Sequence, residues 1–223
     1  LHQSMKKLLI LFSLFIISCN EYKPENAFKA SAKTDAVTID EMSIIILGTL
    51  QDAGSPHIAC KKDCCKNLFQ NPDKDRKVVS LGLIDPISKK TFIIEATPDL
   101  PEQMKNLKRH AAFAETETPD GILLTHAHIG HYTGLMYLGK EAMNADSVPV
   151  YAMPRMKTFL EKNGPWSQLV NTGNISLMEL LDGEETRLSK QLSVTPFRVP
   201  HRDEYSETVG YRITRPNKSA LFI

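Results

Sequence analysis

The chain carries no dense basic run. Its 27 Lys and Arg are set against 26 Asp and Glu, and the formal net charge is +1. With cations spread evenly along the sequence, no surface advertises nucleic acid, which is excluded as an expected partner. A long apolar run is missing as well. Residues 8–17 form a stretch of ten, whereas a helix crossing a bilayer core of about 30 Å needs about 20. There is no internal repeat, which excludes a repeat array, and no second domain boundary. What is present, 42% hydrophobic and 24% charged residues over 223 positions, suits one globular domain with a sizeable core.

The amino terminus is expected to lie outside that domain. Met5-Lys6-Lys7 is a positive start, residues 8–17 are the apolar segment, and Ile16-Ile17-Ser18-Cys19 closes it with a small residue before cysteine. This pattern reads as a secretion signal. The tetrad resembles the lipobox of bacterial lipoproteins, which implies that residues 1–19 are a lipoprotein signal peptide with Cys19 as the lipidated residue. The expected location is then an exported protein, anchored by lipid to a bacterial membrane on its periplasmic or cell-surface face. Residues 20–41 are polar, without apolar periodicity, and read as a tether. The domain is expected over 42–223. It stops on the apolar run Leu221-Phe222-Ile223, which reads as a carboxyl-terminally truncated domain because termini are usually polar.

Within 42–223, short β-branched and apolar runs predict strands at 43–47, 78–84, 91–95, 121–125, 148–152, 175–181, 192–199, 209–214 and 220–223. Helical spacing predicts helices at 100–112, with Pro101 near its first turn, at 133–143, and at 154–162, ended by Asn163-Gly164-Pro165.

The stretch that carries chemistry is Thr125-His126-Ala127-His128-Ile129-Gly130-His131, directly after Gly121-Ile122-Leu123-Leu124. In extended chain, side chains at i and i+2 point the same way, so His126 and His128 can reach one metal at about 2.0–2.1 Å. The remaining histidines, His2, His57, His110 and His201, are scattered, so composition does not account for the cluster.

Together with His131 and Val199-Pro200-His201-Arg202-Asp203-Glu204, the cluster resembles the signature of the metallo-β-lactamase fold superfamily. Gly48-Thr49, the cysteine-bearing loop and Ala96-Thr97-Pro98-Asp99-Leu100 are similar, more narrowly, to the pyrroloquinoline quinone biosynthesis protein B-like branch and its phosphodiesterase relatives. The resemblance covers residues 42–223. It implies an α/β fold (α+β layered), a four-layer αββα sandwich with the metal site at one edge of two sheets. By position His126, His128 and His201 match the metal ligands of the first site, and His131 matches a second-site histidine. Gly130 stands where the pattern has a metal-binding aspartate, and the family's later aspartate and histidine ligands are not in this chain. One catalytic zinc is therefore expected rather than two, with iron as the other possible metal. His131 then orients water or substrate. A metal-bound water has its pKa lowered toward about 7, which makes hydroxide available for attack on a carbonyl or phosphorus centre. Asp99 is the first candidate for the proton acceptor and Asp203 the second.

Cys60, Cys64 and Cys65 remain when Cys19 is set aside, an odd number that cannot all pair internally in an exported protein. A second, structural zinc held by Cys60, Cys64 and Cys65, with His57 as a candidate fourth ligand, is what the phosphodiesterase branch implies. Its spacing there is Cys-x-Cys-x2-Cys, against Cys-x3-Cys-Cys here, and a disulfide plus a free thiol is the other reading. The expected function is metal-dependent hydrolysis of a small ester, lactone or phosphodiester. The alternatives are an oxidative enzyme of quinone cofactor metabolism using iron, and a non-catalytic metal- or ligand-binding lipoprotein.

Overall fold

The computed structural model describes residues 39–223; the signal, Cys19 and nearly all of the tether lie outside the described residues. Six strands form the first sheet: β1 (Ser43–Gly48), β2 (Ser80–Asp85), β3 (Lys90–Ile94), β4 (Gly121–Leu123), β5 (Val148–Ala152) and β6 (Ile175–Glu179) in that spatial order. The first three pair antiparallel, and β3 to β6 pair parallel. Parallel strands need crossovers, supplied here by α1 (Leu100–His110), by α2 (Ile129–Tyr132) running into a 3-10 turn at Thr133–Leu138, and by α3 (Pro154–Lys162) with α4 (Trp166–Asn171). The second sheet is antiparallel, in the order β10 (Lys218–Phe222), β9 (Val209–Arg215), β8 (Ser193–Arg198), β7 (Thr186–Arg187).

Two cores follow from the side-chain periods. Strand residues alternate faces, so in β9 Val209, Tyr211 and Ile213 point inward while Arg212 is exposed. These pack with Leu192 and Val194 against Leu83, Phe92, Ile94 and Leu123, forming the core between the sheets. The other face of the first sheet offers Ile84, Ile93, Ile122 and Val150 to Leu100, Met104 and Leu107 of α1, Leu135 and Leu138 of the 3-10 turn, Met156 and Leu160 of α3, and Leu169 of α4. The layers are helix, sheet, sheet, three of the four layers of the expected αββα sandwich. Among the described residues no helix covers the outer face of the second sheet.

Three boundaries differ from expectation. The helix predicted at 133–143 is a single α-turn followed by a 3-10 turn that stops at Leu138. A Cβ on Gly134 would lie 2.1 Å from the Thr97 carbonyl oxygen, so this segment is packed flush against the chain after β3 and wound tightly there. Strand β4 ends at Leu123: Leu124 N–H still donates to Tyr151 O at 3.0 Å, but the Leu124 and Thr125 carbonyls turn to the second sheet, accepting from Tyr211 and Val209 as the histidine loop opens. Helix α4, which follows Gly164-Pro165, was not expected: its turn residues mark a break between two helices rather than the end of one.

Candidate functional site

The site lies beyond the carboxyl ends of β3 and β4, where open α/β sheets place their ligands. Backbone ties define the histidine loop before any side chain enters. The Glu95 N–H donates to Leu123 O at 2.9 Å, Ala96 N–H to His131 O at 2.9 Å, and Gly134 N–H to Ala96 O at 2.8 Å. The second sheet is stitched to the same loop. Buried Tyr211 donates its hydroxyl to Leu124 O at 2.6 Å, Val209 N–H donates to Thr125 O at 3.2 Å, and Ala127 N–H donates to Ser206 Oγ at 2.8 Å. The β8–β9 connection that carries His201 is thereby drawn over a loop far away in sequence.

The result is a convergence of His126, His128 and His201. His126 Nε2 is 2.9 Å from His128 Nδ1, and His201 Nε2 is 3.1 Å from the same atom. Three nitrogens bound to one tetrahedral zinc at about 2.0–2.1 Å lie about 3.3 Å apart, so this donor set fits a single ion. His126 can offer a lone pair: burial, followed by the charges of His131, His128, His201 and Arg202, pulls its pKa down to about 3, which keeps it neutral. Two of the three ligand rings have a polar group behind them, as metal-binding histidines commonly do. His126 Nδ1 lies 2.8 Å from Thr125 Oγ1, and His128 Nε2, buried and without a hydrogen bond, faces Glu204 Oε2 at 3.5 Å. His126 is buried, His128 half-buried and His201 exposed, so the group opens to solvent on the His201 side.

His131 adjoins the trio, its ring centroid 4.3 Å from that of His126. Its Nδ1 faces Glu95 Oε2 at 3.2 Å. Burial works against its charged form, but the Glu95 carboxylate beside it, with the charge of Asp52, lifts its pKa above the ordinary value. Glu95 is only 1% exposed, accepts the Thr125 N–H at 3.2 Å, and holds φ at 78°. A buried carboxylate in left-handed backbone is costly on both counts and is found where surrounding structure imposes it.

Of the candidate bases, Asp99 is engaged elsewhere. One carboxylate oxygen accepts the Val78 N–H at 2.8 Å and the other faces Lys77 at 3.7 Å, so it ties the start of α1 to the chain entering β2. Asp203 is exposed and pairs with Arg155 at 3.7 Å, while Arg155 also donates to the Asp203 and Glu204 carbonyls. Sequence reasoning passed over Glu95, Asp52, Glu204 and Ser206. For Glu95 a signal existed, an acid at the end of a buried strand; the others are brought in by contacts too distant in sequence to read.

The cysteines form a second cluster. Cys60 and Cys64 sulfurs are 3.9 Å apart, as are those of Cys64 and Cys65, and all three are free thiols. Zinc bonded to sulfur at about 2.3 Å sets sulfurs about 3.8 Å apart, so this set also fits zinc. A backbone hydrogen bond at Lys62, then the neighbouring Cys65, draws the Cys60 thiol below its ordinary pKa. His57 joins through its backbone, accepting the Cys60 N–H at 2.9 Å; its ring is not among the convergent donors.

The beta-lactamase superfamily domain matches residues 90–223, more than half of the chain and including every histidine of the site. The chain belongs to the metallo-β-lactamase superfamily. Its fold is similar to that of zinc-bound PqqB from Methylobacterium extorquens, with 22% identity, a TM-score of 0.64, and coverage of 80% of this chain and 61% of that one. It is also similar to a diphosphatase of the PhnP family, with 23% identity, a TM-score of 0.56, and coverage of 78% and 62%. A 94-residue segment is 31% identical to part of an octanoyltransferase of Porphyromonas gingivalis, covering 42% of this chain but 17% of that protein. The chain thus spans less than two thirds of these relatives. Both structures fall within the branch that the cysteine loop and Ala96–Leu100 resemble, and the likeness extends to the fold.

Proposed function

We propose that this protein is a metal-dependent hydrolase of a small ester, lactone or phosphodiester, with one zinc at His126, His128 and His201. The observation that carries the reading is the convergence of three imidazole nitrogens, at 2.9 and 3.1 Å, on the solvent-open face of a buried loop. A divalent ion held by three neutral imidazoles supplies Lewis acidity and lowers the pKa of water toward about 7. The chain's own residues do the rest. Thr125 and Glu204 fix the ring planes, Glu95 fixes His131, and His131, set beside the trio, orients the water or the substrate. The exposed His201 side leaves room for a substrate to approach. The oxidative reading keeps the same residues and replaces zinc by iron; the binding-protein reading keeps the metal without turnover.

The cysteine cluster is proposed as a structural zinc site, on its 3.9 Å sulfur spacings. Lipid anchoring through Cys19, with the membrane as partner and an exported location, is proposed from the sequence pattern at residues 5–19. Among the described residues no helix is long and apolar enough to cross a membrane.

Metal analysis of the purified protein, joined to a panel of ester, lactone and phosphodiester substrates, tests the main reading. Zinc with turnover on one of these classes is expected. Redox-active iron with oxygen uptake would replace hydrolysis by the oxidative reading, and zinc without turnover on any of them would leave a binding protein.

A further inference from the structure

Of the three convergent rings, His201 is the one with no polar group behind it among the described residues. It rides on the connection between β8 and β9, where residues 200–205 are all exposed. The base of that connection is closed by the Val199 N–H, which donates to Thr208 O at 3.0 Å. Beyond the base, an exposed connection of this kind is mobile unless something outside it takes hold. The hold comes from α3.

Arg155, the second residue of that helix, grips the connection in two places. Its backbone N–H donates to both carboxylate oxygens of Glu207, at 3.1 and 3.2 Å. Glu207 is only 6% exposed, and its negative charge suits the positive end of a helix. The guanidinium makes the second grip. Nη2 donates to Asp203 O at 2.8 Å and to Glu204 O at 3.3 Å, while Nη1 faces Asp203 Oδ2 at 3.7 Å. Further along α3, the Phe159 ring centroid is 5.8 Å from that of Tyr205. The ion pair by itself counts for little, with Arg155 and Asp203 both well exposed. The carbonyl bonds matter more, because a planar fork of donors fixes two consecutive backbone carbonyls at once. Those carbonyls lie two and three residues after His201, which leaves few dihedrals by which the ring can swing away.

We propose that Arg155 is the positioning residue for His201: from α3 it holds the β8–β9 connection so that the His201 ring stays within reach of His128 Nδ1 and completes the donor set. The connection is then ordered before any metal arrives, and affinity gains by that preorganisation. The proposal rests on the reading of His126, His128 and His201 as one metal site.

The affinity of the full chain for the zinc equivalent that His128→Ala removes is measured by competition with a chromophoric chelator. The visible spectrum of the cobalt-substituted protein reports the ligands that the ion keeps. Parent and variants all carry Glu204→Gln, so that the carboxylate facing His128 plays no part. Arg155→Met should weaken zinc binding by about tenfold or more and shift the cobalt spectrum toward that of His201→Ala. In a His201→Ala chain the same substitution should change affinity by less than about twofold, because the side chain it positions is gone. Should Arg155→Met lower the melting temperature of the metal-free chain, Arg155→Lys, which keeps the stem and the charge but lacks the fork, takes its place with the same expectation. Unchanged affinity and spectrum, or an equal loss with and without His201, overturns the proposal. A parent chain from which His128→Ala removes no zinc equivalent overturns the reading of the trio, and the proposal with it.

Discussion

The two donor clusters are built in opposite ways. The histidines hang from a loop tied to both sheets, with His126 and Glu95 buried and Tyr211, Ser206 and Val209 bonded to the loop from the second sheet. The cysteines sit in the loop between β1 and β2, whose internal ties are turn hydrogen bonds such as Cys65 N–H to Lys62 O at 2.9 Å, together with one guanidinium, Arg76, which reaches Cys64 O and Ser55 Oγ. The fold positions the first cluster whether or not an ion is bound. The second has few buried apolar neighbours, and an ion there would contribute to holding the loop.

This contrast can be broken experimentally. The largest effect is expected for His128→Ala, which removes the nitrogen common to both short contacts. Metal at the trio should be lost and turnover abolished while the fold persists; a full equivalent retained there would refute the assignment. Gly130→Ala comes next. With Asp52 Cβ 2.3 Å from the new methyl, overpacking should cost about 3 kcal/mol, read as a lower melting temperature. Glu95→Gln should weaken metal binding or turnover by about 10- to 100-fold, and an unchanged enzyme would show that Glu95 does not act through His131. Cys64→Ser should remove one zinc equivalent and make the loop a target for proteolysis, with turnover nearly intact; a collapse of activity would mean that the two clusters are not independent.

The smallest effect concerns pH. In the metal-stripped protein His126 has a folded pKa of about 3, below its ordinary 6.5. The unfolded chain then binds more protons between those values, so stability from this residue is present above 6.5 and declines as pH falls toward 3. His131 has the opposite sign: its folded pKa is raised, so its contribution is full below the ordinary value and is lost as pH rises through the folded one. Denaturant midpoints at several pH values for wild type and His126→Gln should differ mainly on the acid side, with the variant the flatter. Parallel acid limbs would contradict the burial account.

Much of this was legible in the sequence. Alternate histidines after an apolar strand are a local, period-two signal, and His126 and His128 do converge; His201 was reachable only through resemblance, since its proximity depends on β9 bonding to the histidine loop. The strands with alternating or continuous apolar runs were found to within a few residues. The turn after His131 was misread because Gly134 packs against Thr97, a contact that no local window contains. The acids were the hardest. Asp99 had the sequence context of a base but is spent on Val78 and Lys77, whereas Asp52, in a loop with no periodicity, stands beside Gly130.

The histidine trio has one further consequence. His126 and His128 belong to the first sheet's loop and His201 to a connection of the second. An ion shared by all three is a rivet through two layers whose remaining cohesion is mostly apolar. Sliding of the sheets and loss of the ion then become the same event, and occupancy should strengthen the whole sandwich: about 4 kcal/mol at a thousandfold excess of free metal over its dissociation constant. A chelator should therefore loosen amide protons in β9 and β4 together, one strand from each sheet.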